Sequence, residues 1–151
     1  MSKQTTLIIN PSLQQKMAAL QFKADELLKD KLEAIADYAV SISPIDTGAY
    51  VESFSILPAG SGGGRMKSSE TSARKSRSVK NNTASRQDFV TKATENLMAD
   101  IQALNISDMV EQGNVKFTLK NRSPHALDVE NGESWSVSGY HVFARIRSKF
   151  G

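Results

Sequence analysis

The stretch Ser43-Pro44-Ile45-Asp46-Thr47-Gly48 decides the fold, because it separates a long helical pattern from the extended half of the chain. Proline disfavours helical backbone at the residue before it, so the helix is expected to end at Ser43. Asp46 and Thr47 can hydrogen-bond the local backbone, and Gly48 accepts a positive φ, which indicates a tight turn. A strand is predicted over residues 49–57. The turn residues of this corner are Pro44, Asp46, Thr47 and Gly48.

The residues before the corner predict a short strand and one long helix. Residues 7–9 are an apolar run, either an N-terminal strand or an arm that adds to a neighbouring molecule. Asn10 and Pro11 are typical of a helix start, and apolar residues then recur at spacings of three and four as far as Ile42. A helix of about thirty residues would be roughly 45 Å long. Its apolar stripe would pack partly on a neighbouring subunit or wholly on its own sheet.

The composition changes abruptly over residues 58–85, which are rich in Gly, Ser, Lys and Arg. Such a tract cannot bury a core, so we expect a flexible loop inserted within one domain that spans residues 1–151. We call it the basic tract, because its six cations and one acid give it a net charge of +5, against +3 for the whole chain. The six cations are Arg65, Lys67, Arg74, Lys75, Arg77 and Lys80.

A second helix should follow the basic tract. Ser85 and Asp88 form a capping-box pattern, with Asp in place of the usual Glu or Gln. Apolar residues at helical spacing follow, so the helix is predicted to end near Asn105. Residues 106–112 indicate a further short turn of helix that ends at Gly113.

The last part of the chain predicts two strands around a short helix. Residues 115–120 alternate apolar and polar side chains, which is the clearest strand pattern in the sequence. Residues 125–130 indicate one or two helical turns, and residues 140–147 alternate again and predict a final strand. The expected fold class is therefore α+β, with the long helix and the second helix packed on a small antiparallel sheet.

The composition excludes several classes of protein. A chain of 151 residues is long enough to bury a core as a single domain. It contains no Cys, which excludes a disulfide framework and a Cys-ligated zinc site and favours synthesis in a reducing cytoplasm. No apolar run approaches the length of a membrane span, so we expect no membrane partner.

The sequence predicts no catalytic, cofactor-binding or metal-binding site. His125 and His141 lack a second His or Cys at metal-ligand spacing. Ser61 lies outside any nucleophile elbow, and the neighbouring glycines do not form a P-loop. Asp46 belongs to an Asp-Thr-Gly sequence, but a helix and a proline precede it, whereas apolar strands flank this sequence in aspartic proteases. We therefore interpret Asp46 as a turn cap, with an enzyme centred on Asp46 as an alternative.

The basic tract supports a different alternative function. Its cations could neutralise phosphates without reading sequence, as in a small nucleic-acid-binding protein. No aromatic residue is interleaved with them, so stacking on single-stranded bases is not indicated. A solvated surface loop would have the same composition.

Three stretches, taken in order, resemble the neck and tail-completion proteins of tailed bacteriophages. Members of that family typically show a Pro-x-Asp-Thr-Gly turn and a strand, then an Asn-x-x-Pro-Tyr-Ala segment that leads to Glu-x-Gly. Here the corner at 43–48 matches the first motif, residues 121–132 match the second with His125 in place of Tyr, and residues 139–147 match the final strand. The matched residues of the second motif are Asn121, Pro124, His125, Ala126, Glu130 and Gly132.

The resemblance implies a structural protein of the virion with no catalytic residues and no cofactor. Such proteins assemble as homo-oligomeric rings, commonly six-fold, at the head–tail interface. The implied partners are further copies of the chain, the head connector, and tail-tube or tail-terminator proteins. A ring around the DNA path could also bring the basic tract to the DNA or to a neighbouring ring. We regard the basic tract as an insertion, to which no family role carries over.

Overall fold

The computed structural model describes residues 3–8, 21–67, 77–132 and 139–151. These residues form an α+β fold in which helices pack against a small antiparallel sheet, which confirms the predicted fold class. The elements in chain order are β1 Lys3–Ile8, α1 Gln21–Ser41, a 3-10 turn Val51–Ser53, β2 Phe54–Pro58, α2 Arg86–Ala103, α3 Ile106–Glu111, β3 Lys116–Asn121, α4 Ala126–Asn131 and α5 Val142–Phe150.

The sheet has three described strands in the order β1-β3-β2, with both pairs antiparallel. Leu119 at the centre of β3 lies opposite Thr5 on one side and Ile56 on the other. The alternation over residues 115–120 therefore correctly predicts the central strand. Of the two interpretations of the first apolar run, a strand of the chain's own sheet is correct as far as Ile8.

From Leu28 onward, helix α1 buries its apolar face within the chain. It packs against α2, α3 and α5, so its partners are mainly other helices and not the sheet. The predicted start of this helix at Asn10 and Pro11 lies outside the described residues. The predicted end is confirmed, because α1 ends at Ser41 and the Ser43 hydroxyl donates a hydrogen bond to Ala39 O at 2.6 Å. The buried residues of the described part are Leu28, Leu32, Ile35, Ala36, Ala39 and Val40.

The prediction of a strand over 49–57 is wrong for its first half. A 3-10 turn occupies Val51–Ser53, and β2 begins only at Phe54. The Ser53 hydroxyl donates to Ala49 O at 2.6 Å, while the Ser53 N–H donates to Tyr50 O at 3.0 Å. These local bonds satisfy the backbone in a turn, which competes with extension into a strand.

The predicted final strand over 140–147 is also wrong, because α5 forms a helix over Val142–Phe150. Val142, Phe143 and Ile146 are all fully buried, a spacing that matches one face of a helix. Ala144, which the strand pattern places on the apolar face, is exposed. The alternation was misleading because the same apolar residues also fit a helical period.

Helix α2 begins as its sequence predicts. The Ser85 hydroxyl accepts a hydrogen bond from the Asp88 N–H, and the Asp88 carboxylate accepts one from the Ser85 N–H, both at 3.3 Å. This reciprocal capping box satisfies two N–H groups that the helix leaves without partners. The apolar face of α2 packs on β2 and the 3-10 turn, and its buried residues are Phe89, Ala93, Leu97 and Ile101.

Candidate functional site

The two motifs of the resemblance meet at one cleft of about 580 Å³. Residues 41–47 of the corner line it, together with His125, Asp128 and Val129 around α4. Tyr140, which is 49% exposed, lies beside them. The fold therefore brings together two stretches that are far apart in the sequence.

Asn121 links the two motifs directly. Its side-chain Nδ2 donates to Tyr50 O at 2.8 Å, just beyond the corner, and its Oδ1 accepts from the Ser123 N–H at 2.9 Å. Asn121 is fully buried at the end of β3. Its amide therefore satisfies two backbone groups that the strand end and the turn would otherwise leave unpaired.

Asp46 connects the corner to the end of the basic tract. Its carboxylate accepts hydrogen bonds from the Ser78 hydroxyl and from the Lys80 N–H, the latter at 3.2 Å. Its backbone carbonyl accepts from the Val79 N–H at 3.0 Å. The sequence predicts local capping by Asp46, whereas these bonds reach more than thirty residues along the chain.

Gly48 is required at the corner for two reasons. Its φ of +82° is a conformation that residues with a side chain rarely adopt. An added Cβ would also lie 2.5 Å from Phe89 Cδ1 and collide with the Glu52 carboxylate. The predicted turn is thus confirmed in its conformation, and the absence of a side chain additionally lets α2 pack closely against the corner.

Glu130, the acid of the second motif, caps helix α5. Its carboxylate is 3% exposed and accepts hydrogen bonds from the N–H groups of Phe143 at 2.9 Å and Ala144 at 3.2 Å. The positive end of the helix dipole favours a negative charge at this place. Gly132 ends α4 at a φ of +84°, with its N–H donating to Asp128 O at 2.8 Å.

The remaining residues of the second motif have different surroundings. Ala126 is fully buried at the start of α4, whereas Pro124 and His125 are exposed. The His125 N–H donates to the Ser123 hydroxyl at 3.2 Å. His125 thus lies on the wall of the cleft as an exposed residue.

Tyr50 forms a buried part of the cleft lining. Among the described residues, its hydroxyl has no hydrogen-bond partner. Burial, and secondarily the negative charge of Glu130, raise the pKa of the Tyr50 phenol far above its ordinary value. The phenol therefore remains neutral at physiological pH.

Several cations of the basic tract are engaged within the chain. The Arg65 guanidinium pairs with Asp100, with N–O distances of 2.9 and 3.1 Å, and also donates to Phe54 O. The Lys67 ammonium pairs with Glu52 at 2.6 Å and donates to Thr47 O at 3.2 Å. These contacts hold residues 65–67 against the fold.

The other end of the basic tract is held beside α2, the helix that also carries Asp100. Arg77 lies 3.5 Å from the Asp88 carboxylate, and its guanidinium lies 5.2 Å from the centre of the Phe89 ring. The Lys67 ammonium lies 5.5 Å from the same ring. Lys80 lines the cleft, whereas Arg74 and Lys75 lie outside the described residues. Sequence reasoning missed Ser78 and Phe89, because only the fold reveals that they contact the corner.

Within the described part of the chain, no group of three or more His, Asp or Glu residues could hold a metal ion. None of the helices seen there combines the length and apolar content that a membrane crossing requires. A scan against protein-family models and searches of curated proteins and of solved structures found no match to this chain.

Proposed function

We propose that this chain is a structural protein of a tailed-bacteriophage neck. Copies of it would form a ring that completes the tail and joins it to the head connector around the DNA path. The observation that supports this most is the meeting of the two family-like motifs. Residues 43–48 and 121–132 are separated in sequence, yet they line one cleft and are linked by the bond from Asn121 to Tyr50.

The polar residues of both motifs hold elements of the fold together. Asp46 holds the end of the basic tract, Asn121 holds the corner, and Glu130 holds the start of α5. Side chains whose polar atoms are used in such hydrogen bonds fix the angles between elements and do not present a reactive group. This pattern favours a scaffold over an enzyme centred on Asp46.

The proposal is tested with particles of the virus that encodes this chain. Assembly without the protein should yield DNA-filled heads and separate tails, and addition of the purified protein should join them. A Gly62→Ala variant should restore joining as well as the wild type, because Gly62 lacks a positive φ and nothing lies within 4 Å of an added Cβ there. Normal joined particles without the protein, or purified virions that contain none of it, would overturn the proposal.

Nucleic-acid binding through the basic tract gains no support from the contacts of the described residues. Arg65 and Lys67 are used in ion pairs inside the chain, and Arg77 lies against Asp88 and Phe89. A cation whose charge is already paired releases fewer counterions on binding a phosphate.

A further inference from the structure

The exposed side of helix α5 carries a cationic surface. Successive residues of a helix are rotated so that positions three, four, seven and eight apart share one face. His141, at the N-cap, precedes α5 and begins one such face, and every member of the face is exposed. The opposite face is buried in the core. The members of this exposed face, which we call the α5 face, are His141, Ala144, Arg145, Ser148 and Lys149.

The charge of the α5 face is not cancelled by the helix itself. The sequence of α5 contains three cations and no acid. Arg145 makes no ion pair with any described residue, and Lys149 lies over the Tyr38 ring at 4.8 Å, a contact that leaves its ammonium exposed. This distinguishes α5 from the described cations of the basic tract, which mostly have acidic partners.

An anion would have to bind along this helix and not at its end. The N–H groups of Phe143 and Ala144, where a phosphate could otherwise be held, already donate to the Glu130 carboxylate. On the α5 face, the small side chains of Ala144 and Ser148 leave room for a close approach, and a Ser hydroxyl can donate to a phosphate oxygen.

The spacing of the cations suits a nucleic-acid backbone. Arg145 and Lys149 are one turn apart, which is about 6 Å along the helix. Two phosphate steps along one strand of a DNA duplex cover about 7 Å of its axis. His141 supplies the one aromatic ring of the α5 face, which is too few for stacking of successive unpaired bases, so the face suits a duplex better than a single strand.

We propose that the α5 face binds the phosphate backbone of duplex DNA without reading its sequence. The contact is made by Arg145 and Lys149, with Ser148 as an additional donor. This inference does not depend on the neck function, since it concerns the isolated chain. In a ring, every copy would present the same α5 face to the DNA. Once one copy is bound, the others are held near the DNA at a high effective concentration, so the overall affinity would exceed that of a single weak contact.

The test measures binding of the full chain to short duplex DNA of mixed sequence by fluorescence anisotropy over a range of salt concentrations. Affinity should fall as salt rises, with a slope of about 0.9 per neutralised phosphate on logarithmic axes. The Arg145→Glu/Lys149→Glu variant should bind at least about tenfold more weakly at low salt, with a slope smaller by about 2. The matched control Lys92→Glu/Lys116→Glu changes two exposed cations elsewhere and should bind like the wild type.

Several outcomes would overturn the assignment. These are absence of binding by the wild type, equal binding by the α5 variant, and equal weakening by the control. A loss of binding in Arg74→Glu/Lys75→Glu, with the α5 variant unaffected, would place the contact in the basic tract instead. Should the charge reversal prevent folding, as judged by circular dichroism, Arg145→Gln/Lys149→Gln provides the same comparison with a smaller perturbation.

Discussion

The side-chain amide of Asn121 donates a hydrogen bond to the backbone carbonyl of Tyr50, 71 positions away in the sequence, at 2.8 Å. This bond connects the end of the central strand to Tyr50, two residues beyond the helix-to-strand corner. Because Asn121 is fully buried, neither group can find water if the other is removed.

Replacing Asn121 by Ala should therefore be strongly destabilising. The variant leaves Tyr50 O and the Ser123 N–H buried without their partner, which costs about 2–3 kcal/mol of unfolding free energy. Urea denaturation measures this loss. Asn114→Ala, at an exposed site, should change stability by less than about 0.5 kcal/mol. Similar midpoints for the two variants would contradict a structural role for Asn121.

Gly48 and Gly60 form a matched pair for separating backbone strain from close packing. Their φ angles are +82° and +85°, but an added Cβ meets Phe89 and Glu52 only at Gly48. Gly60→Ala should cost about 1–2 kcal/mol from backbone strain alone. Gly48→Ala should cost a further 1–3 kcal/mol, roughly, from overpacking. Equal unfolding free energies for the two variants would show that α2 does not pack against the corner as described.

Glu130→Gln tests whether the buried carboxylate holds α5. Phe143 and Ala144 donate to different oxygens of the Glu130 carboxylate. In glutamine an NH2 donor replaces one of these oxygens, so one N–H loses its acceptor, and the side chain lacks the charge that suits the helix end. We expect a loss of about 1–3 kcal/mol in chemical denaturation. The control Glu111→Gln alters an exposed acid and should be nearly neutral. Unchanged stability of Glu130→Gln would contradict the capping role.

Asp46→Asn distinguishes a structural aspartate from a catalytic one. If Asp46 holds residues 78–80, the change should cost about 0.5–2 kcal/mol and speed trypsin cleavage after Arg77. Mass spectrometry of the digest measures that cleavage, and Asp37→Asn, at an exposed site on α1, is the control. An unchanged cleavage rate and stability would argue against the proposed contact.

Tyr50→Phe should be tolerated at neutral pH. The hydroxyl that it removes is buried without a partner among the described residues, so stability should stay equal or rise by up to about 1 kcal/mol. Because the folded state raises the pKa of Tyr50, the wild type keeps its full stability below the unfolded pKa of about 10 and loses stability as pH rises above that value.

The difference in unfolding free energy between the wild type and Tyr50→Phe, followed as a function of pH, shows the direction of this effect. Above about pH 10, the wild type should lose roughly 1.4 kcal/mol per pH unit relative to the variant. Denaturation midpoints at several alkaline pH values measure the difference. Parallel curves for the two proteins would mean that Tyr50 ionises as easily in the folded state as in the unfolded state.

The sequence predicts the elements whose signals are local. The capping box of Ser85 and Asp88, the alternation around Leu119, and the end of α1 before Pro44 each depend on neighbouring residues, and each is confirmed. The strand predicted over 140–147 failed because its apolar residues fit both periods. The capping of α5 by Glu130, which favours the helix, is a contact across a gap in sequence that no local pattern reveals.

The candidate site was predictable in its members but not in its arrangement. The two motifs are visible in the sequence, but the bond between Asn121 and Tyr50 that links them is not. The partners of Asp46 at Ser78 and Lys80 lie in a tract whose composition indicates only a flexible loop. Long-range hydrogen bonds of this kind leave no periodic signal, so they emerge only from the folded chain.

A cryo-electron microscopy reconstruction of the phage neck would show whether the proposed ring of this chain is present there. We predict a closed ring of density between the head connector and the tail, into which copies of the fold fit with the α5 face toward the DNA path. A neck whose rings are fully explained by other proteins would contradict the account.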